Sequence, residues 1–314
     1  IVSLIFPWGL GGYPSLHHYM IPYDSEHWEG FLKAGLSVGQ GPVRVAFTGK
    51  GGLILSGENS LMWDLDPVEM DLEGDVDGWY AGADLWLRFM AGGGFSLPFL
   101  AAIEYKRKER DGKGTYRTPM GEADAEYDQN EESLQIEAGG GIEQEFSKGS
   151  RIAAGAYYQY LVNEGDLFLE LIAPNGATIN FDQYNCPDSD EHRIALKIAG
   201  EMRISRAFSF LIGAGGFFGW VDYDIATNVE TGINGSDNVE MDGTRWGVSA
   251  SLGGSINAGS IIIEPFITGA YTELHLDGEG PILYPPSPST DVRVGMENDK
   301  DEFLVGGGVS VIFN

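Results

Sequence analysis

The sequence lacks a long apolar run, a second cysteine and any basic excess. Without roughly 18 consecutive apolar residues it has no candidate transmembrane helix. Its one cysteine, Cys186, has no partner for an internal disulfide. Only 19 Lys and Arg stand against 47 Asp and Glu, which excludes nucleic-acid binding through clustered cations.

Glycine and aromatic residues are abundant instead. The 46 glycines disfavour long helices, and an aromatic content of 12% disfavours disorder. The chain starts without Met or a signal peptide, so we expect a mature or trimmed protein. Its hydropathy is that of a soluble protein, but transmembrane β-barrels share this property because only every second strand residue meets lipid.

Apolar and polar residues alternate in eleven segments, which predicts eleven β-strands. The last segment places apolar residues from Phe303 to Phe313 on one face. The predicted strands are 27–38, 42–50, 78–90, 95–108, 132–146, 151–163, 192–204, 207–221, 244–257, 260–274 and 303–313.

The connections between these segments alternate in length. Short turns are predicted at 39–42, 91–94, 147–150, 205–207 and 257–260. Long acidic loops are predicted at 57–77, 109–131, 164–191, 222–243 and 275–302. Short periplasmic turns and long extracellular loops are typical of an all-β, antiparallel up-and-down transmembrane β-barrel. A soluble β-sandwich also alternates, but it does not account for this asymmetry.

The terminal strand resembles that of bacterial outer-membrane proteins, whose final aromatic residue is read by the barrel-assembly machinery. Here Asn314 follows Phe313. This resemblance implies a barrel in the bacterial outer membrane. A single domain, 1–314, is expected, with an N-terminal segment at 1–22 and the barrel at 23–314.

Strand parity requires one more strand, because bacterial barrels normally close with an even number. Only residues 1–22 remain to supply it, so about twelve strands are expected. The apolar residues 1–6 are predicted to form a short strand that ends before Pro7 and pairs with 303–313. Two alternatives stay open: this segment plugs the lumen, or it pairs with a neighbouring molecule.

The same alternation assigns charged residues to the barrel interior, with cations and anions in near balance. A balanced interior is typical of a narrow, ion-paired lumen, since unpaired charges in a tight space are costly. The predicted lumen-lining residues are Lys33, Arg44, Asp84, Arg88, Glu104, Glu137, Glu143, Arg151, Lys197, Glu201, Arg203, Arg245 and Glu264.

Two acidic motifs suggest catalysis at the barrel rim. "WDLD" contains Asp64 and Asp66, and "DSDEH" contains Asp190 and His192. These motifs resemble the omptin family of ten-stranded outer-membrane proteases, which carry a D-x-D and a D-x-H pair at the rim. The resemblance implies that the four side chains activate a water, with His192 as general base. The chain departs from the family because two extra strands follow the His-bearing loop.

Autotransporter translocator domains have a similar size and twelve strands. They begin with a lumenal helix, whereas residues 7–22 are rich in Gly and Pro. The favoured function is therefore a narrow passive channel or a surface scaffold without catalysis. The alternatives are a rim protease and a structural barrel that assembles with copies of itself.

Few partners are implied by the sequence. The expected partners are outer-membrane lipid, other copies of the chain, or a surface or periplasmic protein. Divalent cations are expected to bind loosely at the acidic runs 121–133 and 296–302. No cofactor, resident metal or nucleic acid is expected.

Overall fold

The computed structural model describes residues 2–10, 23–40, 42–65, 68–118, 121–146, 149–172, 176, 178–182, 188–227, 237–259, 261–281 and 293–313. These residues form thirteen β-strands: β1 Val2–Leu10, β2 Tyr23–Gln40, β3 Val43–Leu65, β4 Val68–Gly92, β5 Phe95–Thr118, β6 Gly121–Glu145, β7 Arg151–Ile172, β8 Thr178–Asp182, β9 Asp188–Arg203, β10 Phe208–Thr227, β11 Asp237–Asn257, β12 Ile261–Pro281 and β13 Arg293–Phe313. Within these ranges there is no helix long and apolar enough to cross a membrane.

Twelve of the described strands pair in one closed antiparallel ring. Each strand pairs with the next along the chain, except that β7 pairs with β9, and the pairing of β13 with β1 completes the ring. The short β8 adds to β7 at residues 168–172, beyond the part of β7 that pairs with β9. The architecture is therefore a closed all-β barrel.

The N-terminal strand lies in the barrel wall. β1 pairs with β13 from Val2 opposite Phe313 to Leu10 opposite Val305, and it also pairs with β2. This confirms the predicted closure within one chain, while residues 11–22 lie outside the described residues. The prediction that Pro7 ends the strand is wrong. The ladder from β1 to β2 is interrupted only at Phe6 and Pro7, because proline has no backbone N–H to donate.

The two ends of the barrel differ. At the turn end, short connections link β2 to β3, β4 to β5, β6 to β7, β9 to β10 and β11 to β12. Glycines with positive φ support them, among them Gly93 at +63° and Gly259 at +88°. β1 begins and β13 ends at this same end. At the opposite hairpin end, the strands continue as long hairpins.

The long loops predicted from the sequence are largely wrong. β3 continues to Leu65 and β4 begins at Val68, so most of 57–77 is strand. Most of 109–131 lies in β5 and β6, and much of 164–191, 222–243 and 275–302 is also strand. The acidic runs 121–133 and 296–302 lie in β6 and β13 rather than in loops. The strands continue because alternation and cross-strand ion pairs persist, as in the pair of Lys113 with Glu126 (2.8 Å).

The outer surface carries the apolar face that lipid requires. Leu196, Ile198, Val248 and Ile267 all have exposed side chains on it. Lys197, between two of these residues, points inward and pairs with Glu137. The predicted strand register is confirmed here.

Aromatic pairs border this apolar face on the side of the hairpin end. Trp79 lies 5.3 Å from Tyr105 between ring centres, and Trp246 lies 5.5 Å from Tyr271. Such rings are typical of a membrane interface, where their apolar bodies meet lipid and their polar groups meet water. The hairpins beyond these pairs therefore extend out of the membrane.

Candidate functional site

The barrel interior is the candidate site, and it begins with a cavity at the turn end. This cavity, the vestibule, has a volume of about 850 Å³. Its charged and aromatic lining residues are Arg44, Trp86, Arg88, Glu143, Arg151, Tyr157, Lys197, Glu201, Glu264 and Phe266. The part of its wall on β10 and β11 includes small residues such as Gly213, Ser251 and Gly253. The lining of the vestibule is therefore uncharged along β10 and β11, and its charged residues lie on other strands.

Ion pairs join the charged residues of the vestibule. Arg88 binds Glu143, and Nε of Arg151 lies 2.9 Å from a carboxylate oxygen of Glu201. The hydroxyl of Ser255 donates to Glu264 at 3.0 Å. These contacts fix the orientation of the charged side chains that line the vestibule.

A second group of polar residues lines one side of the lumen next to the vestibule, on β3 to β7 and β9. This central layer consists of Lys50, Asp84, Glu104, Glu137, Gln159 and Lys197. Nζ of Lys197 lies 2.7 and 2.8 Å from the two carboxylate oxygens of Glu137, which also accepts a hydrogen bond from Gln159. Lys50 pairs with Glu104. Glu137 and Asp84 are both buried, so the side chains of this layer are closely packed.

A third group lies further toward the hairpin end, around the buried carboxylate of Glu191. Nη2 of Arg193 donates to it at 2.7 Å and Nη1 of Arg245 donates at 3.1 Å. Arg245 also donates to the hydroxyl of Tyr223 at 2.9 Å. Glu191 was missed in the sequence because 164–191 was interpreted as a loop. Glu191 lies two residues before Arg193, so extending the alternation of β9 to the next inward position would have placed it in the lumen.

The remaining predicted lumen residues lie at the turn end. Arg44 lines the vestibule and is exposed. Arg203 is also exposed, and its Nε donates to the backbone oxygen of Ser205 at 3.4 Å. The side chain of Lys33 lies outside the described residues.

The rim site implied by the omptin resemblance is not formed by the described part of the motif. His192 and Asp190 point to the outside of the barrel, on the same face as the exposed Ile194. Nδ1 of His192 lies 2.6 Å from the hydroxyl of Tyr158, and Tyr160 donates to Asp190 at 3.1 Å. These two side chains belong to the aromatic band at the membrane interface and not to the barrel mouth. Asp66 and the side chain of Asp64 lie outside the described residues.

Metal ligation has no candidate in the part of the chain that the structure describes. No three His, Cys, Asp or Glu side chains there are arranged to hold an ion. Loose binding of divalent cations at the acidic strands stays a prediction.

Glu131 sits among cations inside the long hairpin of β5 and β6. Nη1 of Arg110 lies 2.7 Å from its carboxylate. Burial alone would raise the pKa of this carboxyl, but Lys108 and Arg110 outweigh it and lower the pKa to about 2. Because the folded pKa is lower than the unfolded one, the charged form stabilises the fold at neutral pH.

We therefore expect Glu131→Gln to lower the stability of the barrel at pH 6. The difference from the unaltered protein should shrink as the pH falls from 4.5 toward 2, because Glu131 is protonated in the unfolded chain over this range while it keeps its charge in the folded one. Urea unfolding in detergent, followed by tryptophan fluorescence, measures this. Glu126→Gln removes the exposed pair with Lys113 and should have a small effect. A difference that does not depend on pH would contradict the expectation.

Comparisons with known proteins agree with this architecture. Residues 188–278, from β9 into β12, match the family model of the autotransporter beta-domain. No curated protein matches the chain. Among solved structures, the transport unit of the autotransporter AIDA-I from Escherichia coli is similar with a TM-score of 0.58 and 11% identity, covering 100% of this chain and 90% of that one.

Two further structures are similar at the level of the fold. The beta domain of the Bordetella autotransporter BrkA has a TM-score of 0.53 and 12% identity, covering 98% of this chain and 97% of that one. The translocator domain of the autotransporter NalP from Neisseria meningitidis has a TM-score of 0.53 and 14% identity, covering 99% and 88%. The closed ring, the lipid-facing surface and these similarities together identify the chain as a β-barrel protein of the bacterial outer membrane.

Proposed function

We propose that the chain forms a narrow, passive and non-catalytic pore, with its hairpins outside the cell and its turn end facing the periplasm. The central layer is the observation that carries this proposal. Its carboxylates Glu104 and Glu137 each bind a lysine on the next strand but one along the wall, so little charge is left to attract a permeant ion. A wide cation-selective pore would instead carry an excess of negative charge inside.

Conductance in planar bilayers tests this proposal. The unaltered protein is expected to show small unitary currents or none. Combining Glu137→Gln with Lys197→Gln removes this ion pair of the central layer without leaving one charge unmatched. The two side chains are then no longer held together in the lumen, so the unitary conductance should increase several-fold. The matched control combines Glu126→Gln with Lys113→Gln, a pair on the outside of a hairpin, and should change nothing. Large, strongly cation-selective openings in the unaltered protein would overturn the proposal.

Polypeptide translocation is the second candidate. The match of 188–278 to the autotransporter beta-domain favours it, as does the similarity to the AIDA-I transport unit and the NalP translocator domain. The vestibule supports it as well, because its volume and its uncharged wall along β10 and β11 leave room for an extended chain. Val2 lies at the same end, so a segment fused before it would start beside the vestibule.

An epitope fused before residue 1 distinguishes the two candidates. Translocation predicts that antibody and protease reach the epitope on intact cells. A passive pore predicts that the epitope is reached only after the outer membrane is permeabilised. The outward residue Asp277, replaced by cysteine and labelled on intact cells in a Cys186→Ser background, verifies that the barrel itself has reached the surface.

A further inference from the structure

Access of water to the lumen falls steeply from the turn end to the hairpin end. In the vestibule, 49% of the Arg151 side chain and 46% of the Lys197 side chain are exposed. In the third group, Glu191 is 2% exposed. Closer to the hairpin end, Leu72 and Leu276 are both 0% exposed. An inward-facing residue without exposure is covered by other side chains, so side chains fill the lumen around these two residues.

Most of the buried inward side chains at this level are apolar, and they come from both sides of the ring. They belong to β4, β6, β7, β10, β11 and β12, and we call them the apolar cap. The cap consists of Leu72, Val76, Ala125, Tyr127, Leu171, Val221, Tyr223, Met241, Leu274 and Leu276, all of them buried. Five of these residues form one packed cluster on β10, β11 and β12.

On the side of the cap formed by β4, β6 and β7, a glycine makes room for the ring of Tyr127. A Cβ atom added at Gly112 of β5 would lie 2.3 Å from the Tyr127 ring. The ring of Tyr127 therefore lies directly against the glycine backbone of the neighbouring strand. This close approach lets the hairpin of β5 and β6 fill its own interior.

The outer face of the same hairpins is acidic. In β4 the buried Leu72 and Val76 alternate with exposed Asp71, Glu73 and Asp75. In β10 to β12, exposed Asp222, Asp242 and Asp277 lie side by side across neighbouring strands. A charged exterior around a buried interior, apolar apart from Lys108, Arg110, Gln129 and Glu131 inside the hairpin of β5 and β6, is the pattern of a water-soluble β-structure. The hairpin ends therefore carry a core of their own above the membrane.

We propose that the apolar cap is an outward seal, so that water enters the lumen from the turn end only. This goes beyond the proposed pore: a pore sealed in this way conducts only while the cap is open, and the central layer limits the current during such openings. Buried apolar side chains oppose entry of water because exposing them is unfavourable. Opening the seal requires the hairpins to separate, which is a local opening of the fold.

Cysteine labelling on intact cells tests the seal. In a Cys186→Ser background, a membrane-impermeant maleimide should label Asp277→Cys at least about tenfold faster than Leu276→Cys, since the buried site reacts only through local opening. Asp222→Cys and Val221→Cys form a second matched pair on another strand. Ser251→Cys in the vestibule should be labelled from the periplasmic side and not from outside.

The seal can also be broken deliberately. Leu276→Asp places a charge in the cap and should make Ser251→Cys reactive from outside, while Asp277→Leu on the outer face should not. Every variant is first run unheated on a denaturing gel, where a folded barrel stays compact and migrates apart from the unfolded chain. Labelling of Leu276→Cys and Val221→Cys as fast as their exposed neighbours, in compact protein, would overturn the seal. Labelling is read independently of conductance, so the seal and the proposed pore succeed or fail separately.

Discussion

Removal of residues 1–10 is expected to abolish the compact, heat-resistant form of the barrel. Without β1, the backbone N–H and C=O groups of β13 from Val305 to Phe313 lose their partners. The facing residues of β2 lose theirs as well. In lipid each such group costs several kcal/mol, because no water is available to bind it. An unheated sample should therefore run at the position of the unfolded chain on a denaturing gel.

Pro7→Ala is the matched control for this deletion. It keeps all of β1 and supplies the N–H that the ladder to β2 lacks at Phe6 and Pro7. The variant should stay compact and resist heat at least as well as the unaltered protein. A truncated protein that remained compact and monomeric would show that β1 does not close the ring.

The wall of the barrel could be predicted from the sequence because one physical pattern determines it. Lipid on one face and polar groups on the other force strict alternation, as at Ile198 and Lys197. The even number of strands in bacterial barrels then required one more strand before residue 23. The extent of the hairpins could not be predicted in the same way. Asp, Glu and Gly are depleted in strands on average, so segments such as 109–131 were interpreted as loops. Their strand form depends on partners distant in sequence, as Arg110 and Glu131 illustrate.

Residues of the candidate site could be predicted only in segments that were recognised as strands, where alternation assigns each residue to the inside or the outside. Arg245 was placed in the lumen by alternation, and its contacts with Glu191 and Tyr223 lie there. The apolar cap was missed because the alternation of Leu72 and Val76 stood inside a predicted loop. The omptin resemblance placed His192 at the barrel mouth wrongly, because the placement rested on the D-x-H motif and not on the alternation of the strand. With Arg193 pointing inward, its neighbour His192 had to point outward.

Ile198→Arg is expected to destabilise the folded barrel by about 2–4 kcal/mol in lipid bilayers, the cost of a charged side chain on the lipid face near the midplane. Ile198 is exposed on the outer surface. It lies in the middle of β9, between Ala154 of β7 and Ala214 of β10. A charge there has neither water nor a partner within the wall. Equilibrium urea unfolding in phospholipid vesicles, followed by tryptophan fluorescence, measures the loss.

Ala199→Arg provides the control at nearly the same depth. Ala199 is the next residue of β9, but it lines the vestibule, so its guanidinium would enter a water-accessible cavity with Glu143 and Glu201 on the wall. Its effect on stability should be clearly smaller than that of Ile198→Arg. The reverse order would mean that β9 is displaced by one residue, since a slip of one residue exchanges the two faces of a strand. Every inward and outward assignment on β9, including those of Glu191 and Lys197, would then be inverted.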